Sequence, residues 1–499
     1  MTRPPASTAD AQYRAALGAA RAGDVAGARQ LLERAFGGNR THIGIRNALA
    51  VLRLEAGETG GAIALLKPLA RELPGAVPIQ LNLGNALVAA GRAGDAVAPL
   101  KRATSLDPTD HLAWYGLGRA LQTAGRVAEA IPAYRRCLQL DAGHVLARAN
   151  LIAALNFVEQ YDAAEQEARV VLAAAPDDAG AHLNLAMSLL ARGQWAEGWA
   201  EYEWREQTAM LARQRRTVVT PRWEGQALAG CVVLVNAEQG FGDTLQFVRY
   251  LPALRQRGAR VILQCPEPLV ALLQASALAD QVLAFGDPMP AHDLHVPLTG
   301  LPQRLALHDH ATVTGDGTPY LTPPPDRPVL EAAWTAGASR RVGLVWAGSP
   351  THVNDMHRSC GFAALDPLWT LRGVTWVSLQ AGVPVGRGGV TPPKGTVLHD
   401  HAARLEDFAD TAVALRALDL VITVDSAVAH LAGALGTPCW LLLPQVGLDW
   451  RWAAETSAAR WYRSVRTFRQ DPTGGWRPTL EAVRAALETE CGGARLPVV

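Results

Sequence analysis

Lysine is scarce in this sequence. Only Lys67, Lys101 and Lys394 occur, so a phosphate clamp in the second half of the chain must come from arginine, Lys394 or backbone N–H groups. An excess of either charge is also missing. With 47 basic and 46 acidic side chains the formal charge is +1 and the isoelectric point is near 7.8, which gives no electrostatic case for binding nucleic acid or a membrane surface. The six cysteines (Cys137, Cys231, Cys265, Cys360, Cys439 and Cys491) form no C-x-x-C pair, so reduced thiols and a cytoplasmic location are expected. The longest apolar stretch is broken by Asp425 and His430, and no transmembrane segment is expected. The opening MTRPPASTADAQYR has no apolar core and reads as no secretory signal. His308-Asp309-His310 and His399-Asp400-His401 lack a suitably spaced third ligand, so no metal site is expected.

Repetition fills the first 40% or so of the chain. Gly23, Gly57, Gly91 and Gly125 recur every 34 residues, and Glu159 and Gly193 continue the register. Five residues after each stands a small residue: Ala28, Ala62, Ala96, Ala130, Ala164 and Gly198. Pro74, Pro108 and Pro176 interrupt the chain between units. This pattern describes a helical hairpin per repeat, with a glycine turn and small residues where two helices meet. The period and the WYGLG at 114–118 resemble the tetratricopeptide repeat. The resemblance implies six stacked units over 9–212 and an extended concave face suited to a protein partner. Asn82, Asn150 and Asn184 share one repeat position on that face. They are candidate acceptor- or partner-binding residues, although local capping of polar groups is the simpler role for them. The tryptophan-rich stretch 194–216 reads as the last hairpin and an exit helix that packs against the following domain.

The pattern changes after residue 217. Short apolar runs at 232–235, 260–264, 280–285 and 294–296 alternate with helical segments, and a second set follows the proline-rich connector TPPPDRP at 322–328. Two α/β domains are expected, over 217–330 and 338–491. The second is organised around LDLVITVDSAVAHLAGALGTPCWLLL at 418–443. It reads as strand, helix, strand: Asp425 and Ser426 stop the first strand, Gly436 ends the helix, and Pro438 forbids its continuation. Such a unit implies a parallel sheet. A helix N-terminus at the end of a parallel strand attracts anions, and His430 lies just over one turn along from Ser426. In the first set the strand at 232–235 runs into Gln239-Gly240-Phe241-Gly242-Asp243. The full dinucleotide-binding fingerprint is absent, which argues against a nicotinamide dehydrogenase. Ser426 lacks the G-x-S-x-G elbow of a hydrolase.

AEQGFGDTLQFVRYLP in the first set and DSAVAHLAGALGTP in the second resemble the bacterial heptosyltransferase family. GSPTHVNDMHRS and LDWRW resemble a subgroup of that family fused to tetratricopeptide repeats. The resemblance covers about 217–480. It implies a helical solenoid followed by a GT-B glycosyltransferase of two Rossmann-like domains, in which sugar passes from a nucleotide-diphosphate donor to a glycan or protein acceptor. Asp243 then matches the general base. Gln239, Gly240, Gly242, Ser349, Asn354, Arg358, Asp425, Ser426 and His430 fall at donor-side positions, with Arg358 as the cation facing the diphosphate. Gln380 stands where the family has a carboxylate on the donor ribose, a departure that leaves the nucleotide open. The chain has no D-x-D, so helix dipole and arginine would replace a metal, and no cofactor is expected. Two other readings remain: a protein O-glycosyltransferase, and a repeat scaffold whose transferase half is degenerate.

Overall fold

The computed structural model describes residues 8–209, 218–327, 340–352, 354–382, 390–453, 459–472 and 475–492. The chain divides into two compact units, Met1–Val171 and Leu172–Val499. The division falls inside the repeat array, so the sixth hairpin belongs with the sheets rather than with the other repeats.

The first unit is built from helical hairpins: Thr8–Arg21 with Val25–Gly38, Ile43–Glu55 with Thr59–Glu72, Val77–Ala89 with Ala93–Leu106, His111–Thr123 with Val127–Leu140, and Val145–Phe157 with the start of Tyr161–Ala174. The glycine of each turn adopts a left-handed conformation, with φ of +84° at Gly23, +79° at Gly57, +73° at Gly91 and +78° at Gly125. That conformation explains the period-defining glycines. Ala28, Ala62, Ala96, Ala130 and Ala164 are fully buried. Added methyl groups at Gly84 and Gly118 would stand 2.3 Å from the Leu100 side chain and 2.5 Å from that of Tyr134, so these side chains pack directly on the backbone of the paired helix. The repeats also share a polar brace that no composition argument reveals. Gln80 donates to the Pro74 carbonyl, Trp114 to that of Pro108 and Arg148 to that of Ala142.

Glu159 stands where the other turns have glycine, at φ +61°. A side chain in this conformation costs roughly 1–2 kcal/mol. Glu159→Gly is therefore expected to raise the stability of the array by about 1 kcal/mol, read as an upward shift of its melting transition. An unchanged or lower transition would show that the Glu159 side chain repays the strain.

In the second unit the sixth hairpin comprises Ala179–Ala191 and Trp195–Tyr202, followed by a 3-10 turn at Glu203–Gln207. The exit helix expected to follow lies on residues 210–216, outside the described residues. Next comes a four-stranded parallel sheet of β1 (Val232–Asn236), β2 (Arg260–Cys265), β3 (Gln281–Ala284) and β4 (Leu294–Pro297), in the order β3-β2-β1-β4. A six-stranded parallel sheet holds β5 (Arg340–Val345), β6 (Val374–Ser378), β7 (Leu398–Asp400), β8 (Leu420–Val424), β9 (Cys439–Leu443) and β10 (Val465–Arg469), in the order β10-β9-β8-β5-β6-β7. The helix Ala427–Leu435 follows β8 and ends at Gly436 in the left-handed region. β8 and β9 are buried along their whole length, as continuous apolar strands of a parallel sheet should be.

Both sheets reverse their strand order beside the strand that opens the set. β1 lies between β2 and β4, and β5 between β6 and β8. In open α/β sheets such switch points leave a crevice at the carboxyl ends of the strands. The loops following β1, β5 and β8 are the ones that emerge there.

Candidate functional site

The loop after β1 turns at Gly240 into the helix Phe241–Phe247. Asp243 faces back, and its Oδ2 accepts from the Gly240 N–H at 3.0 Å. This helix packs on Ala427–Leu435 of the second sheet. A methyl group at Gly242 would lie 2.9 Å from Cδ2 of His430, so only glycine permits the approach. At the rim Phe241 meets Phe408, with ring centroids 5.0 Å apart. Residues from the loops of both sheets thus come together.

Arg451 lies where these loops meet, with a side chain only 5% exposed. Its Nη2 donates to Oδ1 of Asp243 and its Nε to Gln246. Its Nη1 donates to both oxygens of Asp449, at 3.1 and 3.0 Å. The guanidinium stacks over Trp450 at 4.4 Å. Trp452 in the same turn donates its indole N–H to Oδ1 of Asp425 at 2.9 Å and stacks on His430, with centroids 5.0 Å apart. His430 also sits 3.0 Å through Nδ1 from the Tyr462 hydroxyl. Ser426 begins the helix without capping it, and its Oγ is 3.1 Å from Oγ1 of Thr423.

Burial governs the protonation of this cluster. It raises the Asp243 carboxyl above its ordinary value against the pull of Arg451. Burial and the neighbouring Asp449 push Asp425 up to about 6. Asp449 is held below its ordinary value, because Arg451 outweighs the burial acting the other way. Burial pushes His430 down to about 3 and keeps its imidazole neutral at ordinary pH.

The loop after β5 supplies the other wall. Arg358 passes so close to Gly348 that a methyl group there would lie 2.5 Å from Nη2, and its Nε meets Oδ1 of Asp355 at 3.3 Å. Its charge acts on both Asp425 and His352. Asn354 ties the loop to the Arg451 turn by donating to the Gly447 carbonyl at 2.7 Å. Ser349 engages Thr351 within the loop.

Two residues expected on the donor side are committed elsewhere. Gln380 accepts from the N–H groups of Trp346 and Ala347 through one oxygen, at 3.0 and 2.9 Å. It therefore shapes the loop after β5 from beneath. Gln239 turns toward the sixth hairpin and donates to the Tyr202 hydroxyl at 2.7 Å and to Thr299 at 3.3 Å. Beside it Glu238 accepts from Arg205 at 3.1 Å and from Thr299. The asparagines of the array lie in local contacts. Asn82 donates to Asn47 at 3.0 Å, Asn150 acts on the Tyr134 hydroxyl, and Asn184 donates to the Gly180 carbonyl at 2.9 Å.

Arg451, Asp449, Trp452 and His352 were not singled out by sequence reasoning. They stand in LDWRW and in the loop after β5, and the one signal was tryptophan and arginine packed into a turn with no helix or strand to explain them. Among the described residues no group of three or more His, Cys, Asp or Glu side chains is arranged to hold a metal, and no helix is long and apolar enough to cross a membrane.

The family models that match lie within the array. The chain is 29% identical to protein FlbA of Caulobacter vibrioides over 336 residues, covering 60% of this chain and 53% of that one. It thus spans about half the length of this curated relative. A thermophilic repeat protein of Thermus thermophilus is 22% identical, with a TM-score of 0.30, over 37% of this chain and all of that one. YrrB, described as a repeat protein with an unusual peptide-binding site, is 18% identical over 36% of this chain and 95% of its own, with a TM-score of 0.33. MamA of Desulfovibrio magneticus is 16% identical over 34% and 94%, at 0.32. Models of the tetratricopeptide repeat match residues 19–83 and 81–145, and the hairpins of this stretch are tetratricopeptide repeats.

Proposed function

We propose that the second unit transfers a sugar, with inversion, from a nucleotide-diphosphate sugar to a hydroxyl group of a glycan or protein, and that the repeat array engages the acceptor or a protein partner. The observation that carries this reading is the convergence of loops from both sheets, beside their switch points, on one turn: Asp243 of the first sheet is bonded to Arg451, and Asp425 of the second to Trp452. Asp243 takes the proton of the acceptor hydroxyl. The freed oxygen forms a bond to the anomeric carbon while the bond to the diphosphate breaks. The negative charge that leaves is met by the N-terminus of Ala427–Leu435 and by Arg358, whose charge already acts on Asp425. Burial of Asp243 suits it to the task, since a carboxylate raised toward neutral pH is a stronger base.

Transfer of this kind needs no divalent metal. The full chain, incubated with ADP-, UDP- and GDP-sugars, is expected to release one nucleoside diphosphate and to do so equally in chelator. Release that requires magnesium or manganese would overturn the metal-free mechanism. Absence of release with every donor would leave the repeat scaffold as the function.

A further inference from the structure

Two arginines act on the Asp425 carboxyl, and their surroundings differ. Among the described residues Arg358 makes a single long ion pair, leaving donors for a ligand. Every nitrogen of the Arg451 guanidinium is already taken, by Gln246, Asp449 and Asp243. Its plane is wedged between Trp450 at 4.4 Å and Phe247 at 5.6 Å. Trp450 in turn packs on Trp199 of the sixth hairpin and on Trp461, at 5.6 and 5.9 Å. An arginine bonded through every nitrogen and packed against two aromatic rings cannot swing out to a diphosphate. Its remaining reach is to one oxygen of Asp243.

We propose that Arg451 is a positioning residue for the transfer: anchored by Asp449, Gln246 and the stacked aromatic rings, it fixes Oδ1 of Asp243 and aims that carboxylate at the acceptor hydroxyl. Asp243 is held at both oxygens, by Arg451 and by the Gly240 N–H, so one orientation is enforced while its side chain stays 23% exposed. Arg451 and Asp449 act in opposite senses on that carboxylate. The first favours its ionised form and the second disfavours it. The other titratable groups that face it are Tyr202 from the sixth hairpin and His352 from the loop after β5. This inference rests on the proposed transfer and gives Arg451 a part in it distinct from that of Arg358.

The test is the pH profile of kcat/KM for donor turnover in the full chain, in the wild type and in Arg451→Gln, Arg451→Lys and Asp449→Asn. Loss of the cation leaves burial and Asp449 to raise Asp243. Arg451→Gln is therefore expected to move the acid limb up by about 1–3 pH units. At pH 7 it should lower kcat by roughly 10- to 100-fold, with donor KM changed less than threefold. Arg451→Lys restores the charge without the fork and should recover part of the shift. Asp449→Asn removes the opposing charge, and its acid limb should move down. A purely structural role would reduce the amount of folded enzyme and leave every acid limb in place. If the wild type turns over a donor and neither limb moves, Arg451 does not position Asp243, and the proposed function stands without it. If Arg451→Gln fails to fold, Asp449→Asn decides by its downward or absent shift. A wild type that releases no nucleoside diphosphate removes the transfer and this inference with it.

Discussion

Residues 172–499 are expected to fold as one soluble unit, whereas residues 217–499 are expected to precipitate or fail to fold. The longer fragment keeps Trp195, Trp199 and Tyr202, which are 4%, 1% and 4% exposed and cover Trp450, Trp461 and Phe247. A fully buried large side chain contributes roughly 1.5–3 kcal/mol through its apolar surface. The shorter fragment also loses Arg205, which is 1% exposed and bonded to Glu238. Removing one partner of a buried ion pair costs about 3–5 kcal/mol. Together these losses approach roughly 10 kcal/mol, as much as the whole stability of an ordinary domain. Comparison of the two fragments by circular dichroism and size exclusion checks this. A well-folded 217–499 would show that the sixth hairpin is dispensable to the sheets.

Asp243→Asn is expected to lower turnover by at least about 10²-fold while leaving the fold and donor affinity in place. The amide keeps the shape of the carboxylate, and Arg451 retains Asp449 and Gln246. It cannot take a proton, so the loss falls on kcat. In the wild type the folded Asp243 titrates above its ordinary value, and activity should fall as the pH drops through that raised value. Steady-state kinetics with a donor that the wild type turns over measure both effects. Turnover unchanged in Asp243→Asn would remove it from the chemistry.

Much of the fold was legible because the signals were local. The left-handed turn at Gly57 or Gly91 admits few residues but glycine, so the 34-residue period appears directly in the sequence. The helix Ala427–Leu435 was bounded by Ser426 and Gly436: the glycine ends it in the left-handed region, whereas the serine stands at the N-cap position without bonding the helix. β10 escaped because it is an edge strand whose Arg466 and Arg469 face solvent, so no apolar run marks it. β7 is only three residues long and contains His399 and Asp400. At the candidate site, Asp243 and Asp425 were legible because each stands where a strand gives way to a helix, Asp425 directly after β8 and Asp243 in the first turn of the helix that follows β1. Arg451 was not, since its partners Gln246 and Asp243 lie 205 and 208 residues away, and no local pattern reports such a contact. Gln239 and Gln380 show the converse. Both were placed by loop position, and both hold neighbouring protein groups instead of facing open cleft.

The most direct measurement of the central claim is calorimetric titration of the full chain with ADP, UDP and GDP in chelator, repeated on Arg358→Ala. One nucleoside diphosphate should bind at a single site without metal and lose at least about tenfold in affinity in the variant, as expected for removal of a charge-assisted contact of roughly 1.5–3 kcal/mol. No binding of any of the three at millimolar concentration, or binding that Arg358→Ala leaves untouched, would contradict it.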